Sequence, residues 1–141
     1  MDQYDALKLE NQLCFPLYAA SREIIRYYRP FLDELGLTYT QYIAMLVFWE
    51  CGETSVRDLG QKLYLDSGTL TPVLKRLESK ELIRRHRCAE DERMVIAELT
   101  EKGRAMKERA LSVPKQVACC VRLSPEEGLI LQQLLNKILA K

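Results

Sequence analysis

The sequence predicts a mainly α-helical fold with one small β-hairpin, on three observations. Apolar residues recur at steps of three or four over most of the 141 positions, the period of helices with one buried face. The period changes once, in "LIRRHRCAEDERMVIAEL", to the alternation of two strands about a polar bend. Short hydroxyl or acid caps, several with Gln or Glu three residues later, precede the helical stretches. With 48% apolar and 29% charged residues the chain has globular composition, and its length suits one domain with a core that needs no staples.

Taken in order, Leu9, Leu13, Leu17, Ala20, Ile24, Tyr28, Phe31 and Leu35 form the stripe of a long helix ending at Gly36. Pro16 and Pro30 interrupt it, so kinks, or a start at Pro16, are allowed for. "TYTQ" offers Thr38 and Gln41 as a capping box for a strongly apolar helix over Tyr42 to Trp49, closed by Cys51-Gly52. Ser55 and Asp58 suggest the cap of a short helix through Leu63, and "YLDSGTLTPVLKRLE" then opens another that runs to about Lys80. Thr100 caps a helix to roughly Leu111, Pro114 breaks it, and Ser124 to Glu127 box the start of a last Leu- and Ile-rich helix. Two short helices, a tight turn and an adjacent hairpin make a winged helix-turn-helix, flanked by helices at both ends.

That architecture gives meaning to a charge balance of 21 basic against 20 acidic residues, which by itself does not announce a polyanion partner. From Lys75 to Arg93 there are seven Lys or Arg against five acids, and three of those acids, Glu90, Asp91 and Glu92, sit at the bend. The basic groups follow the second helix and the first hairpin strand. Ser67, Gly68, Thr69 and Thr71 keep the entrance of that helix slim enough to approach DNA. Asp66, Ser67, Thr69, Thr71, Lys75, Arg76, Arg87, Asp91 and Arg93 are the candidate DNA-binding residues, with Arg93 directed to a minor groove and Asp91 positioning it. A basic helical run is otherwise a solvated face; the neighbouring wing favours DNA.

"LDSGTLTPVLKRLE" followed by "LIRRHRCAEDERMVIAELTEKG" resembles the DNA-binding core of the MarR family of bacterial transcriptional regulators. "KLENQLCFPLYAASRE" with "GLTYTQYIAMLVFWE" is similar to its organic-hydroperoxide-sensing branch, the OhrR repressors. The resemblance covers nearly the whole chain. It implies a single domain, 1–141, in which 1–36 and 101–141 are dimerisation helices around a winged helix-turn-helix of 38–99. It further implies a homodimer that binds a pseudo-palindromic operator in double-stranded DNA, represses a peroxide-detoxifying gene, and takes an organic hydroperoxide as inducer.

The branch makes Cys14 the redox-sensing residue, with Tyr28 and Tyr39 at the positions whose hydroxyls stabilise the thiolate. Only a thiolate attacks a peroxide efficiently, and hydrogen bonds donated to the charged form favour it. Glu10, as a helical neighbour four residues back, would oppose this. Phe15, Leu17, Tyr18 and Trp49 are the apolar walls that would suit lipid or aryl hydroperoxides. In some members the sulfenic acid is resolved by a second cysteine of the other subunit, and "VACCVRL" makes Cys119 and Cys120 the candidates here. Two small core-filling residues are the competing account of that pair.

Other function classes fare worse. The five cysteines lack metal-ligand spacing, no cofactor motif is present, and His86 is the sole histidine, placed in the wing, so hydrolytic pairs have one badly located base. No catalytic residue is assigned. A thiol peroxidase built on Cys14 alone would leave the DNA-binding motif without a use. Two rivals stay open: a MarR-type repressor gated by a non-covalent phenolic ligand or metabolite, with Cys14 structural, and a helical interaction module that no longer binds DNA. The start "MDQYDALKLENQ" lacks a signal-peptide layout, and the chain is expected to be cytoplasmic.

Overall fold

The computed structural model of the protein describes residues 2–140. Two 3-10 turns, Gln3–Leu7 and Leu9–Asn11, lead into α1 (Cys14–Asp33), followed by α2 (Tyr39–Cys51), β1 (Glu53–Ser55), α3 (Val56–Leu63) and α4 (Ser67–Ser79). The wing strands β2 (Ile83–Arg87) and β3 (Val95–Leu99) precede α5 (Glu101–Ala110), α6 (Val113–Ala118) and α7 (Pro125–Leu139). Among the described residues no helix is long and apolar enough to cross a membrane.

The helix starts follow cap chemistry. Thr38 and Gln41 form a reciprocal capping box on α2, Ser55 accepts the Asp58 amide on α3, and Ser124 and Glu127 box α7. Gly52 ends α2 with φ +79°, a conformation that suits glycine, and its amide reaches the Phe48 carbonyl at 2.8 Å. The first helix differs from the expected stripe. It begins at Cys14, so Pro16 is its third residue, where a missing N–H is harmless, while Glu10 belongs to a separate 3-10 turn. Pro114, expected only to break a helix, also opens α6 as its second residue.

The sheet order is β1-β3-β2, all antiparallel, with Ile83 opposite Leu99 and Glu53 opposite Glu98. The core is centred on this winged half and continues into the end of α1 and into α5 and α6 through Leu32, Met106, Val113 and Val117. Phe48, Met45, Leu59, Leu70, Leu74, Leu77, Leu82 and Ile83 are fully buried there, each large side chain contributing about 2 kcal/mol of apolar burial. Two ties fix the wing to α4. Glu78 holds the backbone amide of Arg85 at 3.0 Å and its guanidinium at 3.1 Å, and Thr100 donates to the Glu81 carbonyl at 2.6 Å. The Glu78 carboxyl is consequently held below the usual carboxylate range by Arg85.

Candidate DNA interface and thiol site

The helix-turn-helix bends through Tyr64, which adopts the left-handed conformation and lets the Leu65 amide close on the Gly60 carbonyl at 3.0 Å. A side chain at Gly60 would come within 2.9 Å of the Leu65 carbonyl oxygen, so the turn requires glycine. Asp66 caps α4 by accepting the Thr69 amide at 2.8 Å, and the hydrogen bonds from Thr69 hold its carboxyl below the ordinary range. Its geometry is that of a helix-start anchor. Ser67, Gly68 and Thr69 are exposed on the first turn, with Lys75 and Arg76 exposed further along. Thr71 is half-buried and donates its hydroxyl to the Ser67 carbonyl at 2.7 Å, leaving it only lone pairs for a further partner. Pro72 is the sixth residue of α4, one turn deeper than the position where a proline is least disruptive.

In the wing, Arg87 donates to the Glu92 carbonyl at 2.8 Å and thereby cross-braces the bend. Asp91 accepts the Arg93 amide at 3.0 Å and sits 3.7 Å from its guanidinium Nε, while the Arg93 side chain is 96% exposed. An anchored base and a projecting guanidinium is the geometry that entry into a groove requires. Between α3, α4 and the wing runs an open groove of about 1330 Å³ bordered by Asp66, Ser67, Thr71, Asp91 and Arg93. Arg57, Tyr64 and Arg85 line it as well. Arg85 belongs to the basic run from Lys75 to Arg93, whereas Arg57 and Tyr64 escaped the sequence reading because they precede the recognition helix. The signal available was their place on the first helix and turn of the helix-turn-helix pair.

Cys14 is exposed as the first residue of α1. Around it Leu13, Phe15, Leu17 and Tyr18 are all exposed, a greasy collar with Leu13 at 83%. The tyrosines lie elsewhere. Tyr28 is fourteen residues further along the same helix, a rise of about 21 Å, so it cannot meet the sulfur of its own chain. Its ring instead packs 5.0 Å from Tyr39 and 5.5 Å from Tyr42, and Tyr42 stands 6.5 Å from Trp49. Trp49 is therefore part of the tyrosine cluster, and donates from Nε1 to the Gly103 carbonyl at 2.9 Å. Burial pushes all three phenols above their ordinary value of 10.0, Tyr42 to about 12 with help from its two neighbours. They stay protonated, and so remain donors. Tyr42 was not among the sequence candidates; only the helical spacing from Tyr39 pointed to it.

The remaining thiols are distributed over the surface. Cys119 and Cys120 are exposed at the end of α6, the Cys120 sulfur 3.7 Å from the Gln116 carbonyl, so neither fills a core in this chain. Cys51 is exposed with the Lys62 ammonium 3.5 Å from its sulfur, and Cys88 is half-buried in the wing. His86 is exposed on β2. Among the described residues no cluster of His, Cys, Asp or Glu could hold a metal ion.

The model of the transcriptional regulator SarA/Rot family matches residues 26–110. The organic hydroperoxide resistance transcriptional regulator of Bacillus subtilis strain 168 is 50% identical over 133 residues, 94% of this chain and 88% of that protein. Reduced AbfR bound to DNA is 33% identical, covers 97% of this chain and 96% of its own, and superimposes with a TM-score of 0.78. Disulfide-formed AbfR is 34% identical with the same coverage and a TM-score of 0.67; AbfR is a protein of Staphylococcus epidermidis. A winged helix-turn-helix with a basic recognition helix and an anchored wing arginine, matched over nearly its whole length to such regulators, places this chain in the MarR family of DNA-binding transcriptional regulators, in its organic-hydroperoxide-regulator branch.

Proposed function

We propose that the chain is a repressor that releases its operator when an organic hydroperoxide oxidises Cys14. The observation that carries this reading is the separation within one chain: an exposed thiol in an apolar collar at one end of α1, and a cluster of protonated tyrosines near the other. The two meet only across a pair of chains. In a two-fold dimer Cys14 of one copy lies against Tyr28 and Tyr39 of the second, and their hydroxyls donate to the sulfur. The apolar collar receives the organic tail of the peroxide.

The thiolate attacks one peroxide oxygen and the O–O bond breaks; with one proton taken up, the products are a sulfenic acid and an alcohol. A thiol at Cys119 or Cys120 of the second copy then attacks the sulfenic sulfur, forming the disulfide and releasing water. AbfR supports this division of labour. It has been solved on DNA both reduced and overoxidised, and its disulfide form is a separate structure. This chain superimposes better on the reduced, DNA-bound form than on the disulfide form. The disulfide is accordingly the state read as changing the spacing of the two recognition helices and releasing the operator.

The test is a fluorescence-anisotropy titration of DNA from upstream of the protein's own gene, repeated after one equivalent of an aryl hydroperoxide. The wild type is expected to lose at least about tenfold in affinity and Cys14→Ser to keep its own. A non-reducing gel of Cys119→Ser and Cys120→Ser then identifies the resolving thiol. If wild type and Cys14→Ser hold the DNA equally after oxidation, Cys14 is structural and a non-covalent ligand is the inducer.

A further inference from the structure

The helix that carries Tyr39 already packs on the recognition helix in the core, and one polar side chain adds a bond between the start of the first and the end of the second. Lys80 is the C-terminal cap residue of α4. Its ammonium donates to the carbonyl of Gly36, in the turn that ends the α1 segment, and to the side-chain oxygen of Gln41 at 2.9 Å. That same Gln41 oxygen accepts the Thr38 amide at 3.2 Å as half of the capping box on α2. Tyr39 is the first residue of α2, inside this box, and its ring rests on Tyr28 of α1. One amide oxygen thus holds the start of the helix that bears Tyr39 and the end of the helix that faces DNA.

Two further features distinguish this contact from an ordinary lysine at a helix C-terminus. Gln41 is buried at 6% exposure, and partial burial, with Arg76 nearby, lowers the Lys80 ammonium below its ordinary range. The contact also spans 44 residues to Gly36 and 39 to Gln41, whereas a capping lysine bonds the carbonyls of its own last turn. Beyond Lys80 the chain turns through Glu81 in the left-handed conformation and enters the wing, with the Glu81 carbonyl held by Thr100. A shift of the α2 start therefore meets a rigid helix-and-wing unit.

We infer that Lys80 is a positioning residue that couples the Tyr28–Tyr39 pair to the recognition helix, so that oxidation of Cys14 is felt at the DNA through the bridge from Gln41 and Gly36 to the end of α4. This rests on the redox reading above. Displacement of Tyr39 rotates the first turn of α2, moves the Gln41 oxygen, and carries α4 with it through Lys80. A bridge of this kind transmits a change without touching thiol or DNA.

The experiment compares wild type, Lys80→Met and Lys80→Arg by DNA affinity before and after one equivalent of aryl hydroperoxide, with mass spectrometry of Cys14 in each sample. Reduced Lys80→Met is expected to bind DNA and its Cys14 to oxidise like the wild type, while the ratio of oxidised to reduced Kd falls by at least about fivefold. Lys80→Arg, which keeps a charged donor, restores the ratio. A Lys80→Met protein that releases DNA by the wild-type ratio, or binds none when reduced, overturns the proposal. Should circular dichroism show Lys80→Met unfolded, Lys80→Gln, too short to span both oxygens, takes its place under the same criteria. Failure of the redox reading is distinguishable, because it shows in the wild type, which would then keep its DNA after Cys14 is oxidised.

Discussion

Tyr28, Tyr39 and Tyr42 show how residues of one type become a device through their surroundings. An isolated phenol ionises near 10.0, but these three are packed together, Tyr42 buried and Tyr28 and Tyr39 half-buried, and Tyr42 is pushed to about 12. The folded state therefore keeps protons that the unfolded chain gives up above pH 10. Their contribution to stability is fully present below pH 10 and is lost as pH rises from there toward the folded values. We expect unfolding in mild alkali, with the phenolate absorbance of these three residues appearing together with loss of the helical circular dichroism. Absorbance equivalent to all seven phenolates, rather than to the four outside the cluster, reached ahead of any loss of structure would mean the cluster is open to water. Within the physiological range the same shift keeps the hydroxyls as donors, the form a thiolate needs.

At the scale of elements, α5 fits closely against the wing at Gly103. A Cβ at Gly103 would lie 2.2 Å from the Leu82 carbonyl oxygen and 2.7 Å from a Leu99 methyl, whereas one at Gly128 on α7 meets nothing within 4 Å. Gly103→Ala is therefore expected to destabilise by about 1–3 kcal/mol or more, because backbone must move to admit it. Gly128→Ala is expected to stabilise by about 0.5–1 kcal/mol through helix propensity. Urea unfolding of the two variants checks this, and equal midpoints would refute the packing. The helix starts at Thr38, Ser55, Asp66, Thr100 and Ser124 were legible in the sequence because a cap is chemistry between residues three apart. Strand β1 was not, since Glu53–Ser55 is extended only through its pairing with β3, more than forty residues away. For the same reason Glu10 was misplaced: the periodicity of Leu9 and Leu13 continues through a break that the chain makes at Gln12. In the site, the residues of the recognition helix and wing were readable as a motif. The Lys80–Gln41 bridge arises from tertiary packing and no local pattern encodes it, whereas Arg57 and Tyr42 carry only the local signals of helix position and spacing.

Across the whole molecule, burial is lopsided. The winged half has a packed core, yet α7 has no buried residue, although Leu129, Ile130, Leu131, Leu134 and Ile138 lie on it, the last 65% exposed. Leu7, Leu9 and Leu13 at the other terminus are likewise exposed. Apolar surface on this scale at both chain ends is what a second copy would cover, and it includes the collar of Cys14, while Leu139 at the end of α7 borders the DNA-facing groove. On the proposed reading the dimer, the thiol site and the operator geometry are one problem: without the second copy Cys14 lies beyond reach of Tyr28 and Tyr39, and a single recognition helix has only half a site. A charge on this surface tests all three together. Leu134→Glu places a carboxylate in the middle of the α7 stripe without disturbing the core of its own chain. We expect light scattering to show a dimer for the wild type and a monomer for Leu134→Glu, with operator affinity reduced at least about a hundredfold because only one half-site is held. Circular dichroism should be nearly unchanged, since the winged core is intact. If Leu134→Glu remains dimeric with its affinity preserved, the α7 face is not the interface, and the path from Cys14 to a second chain's tyrosines must be drawn through another surface.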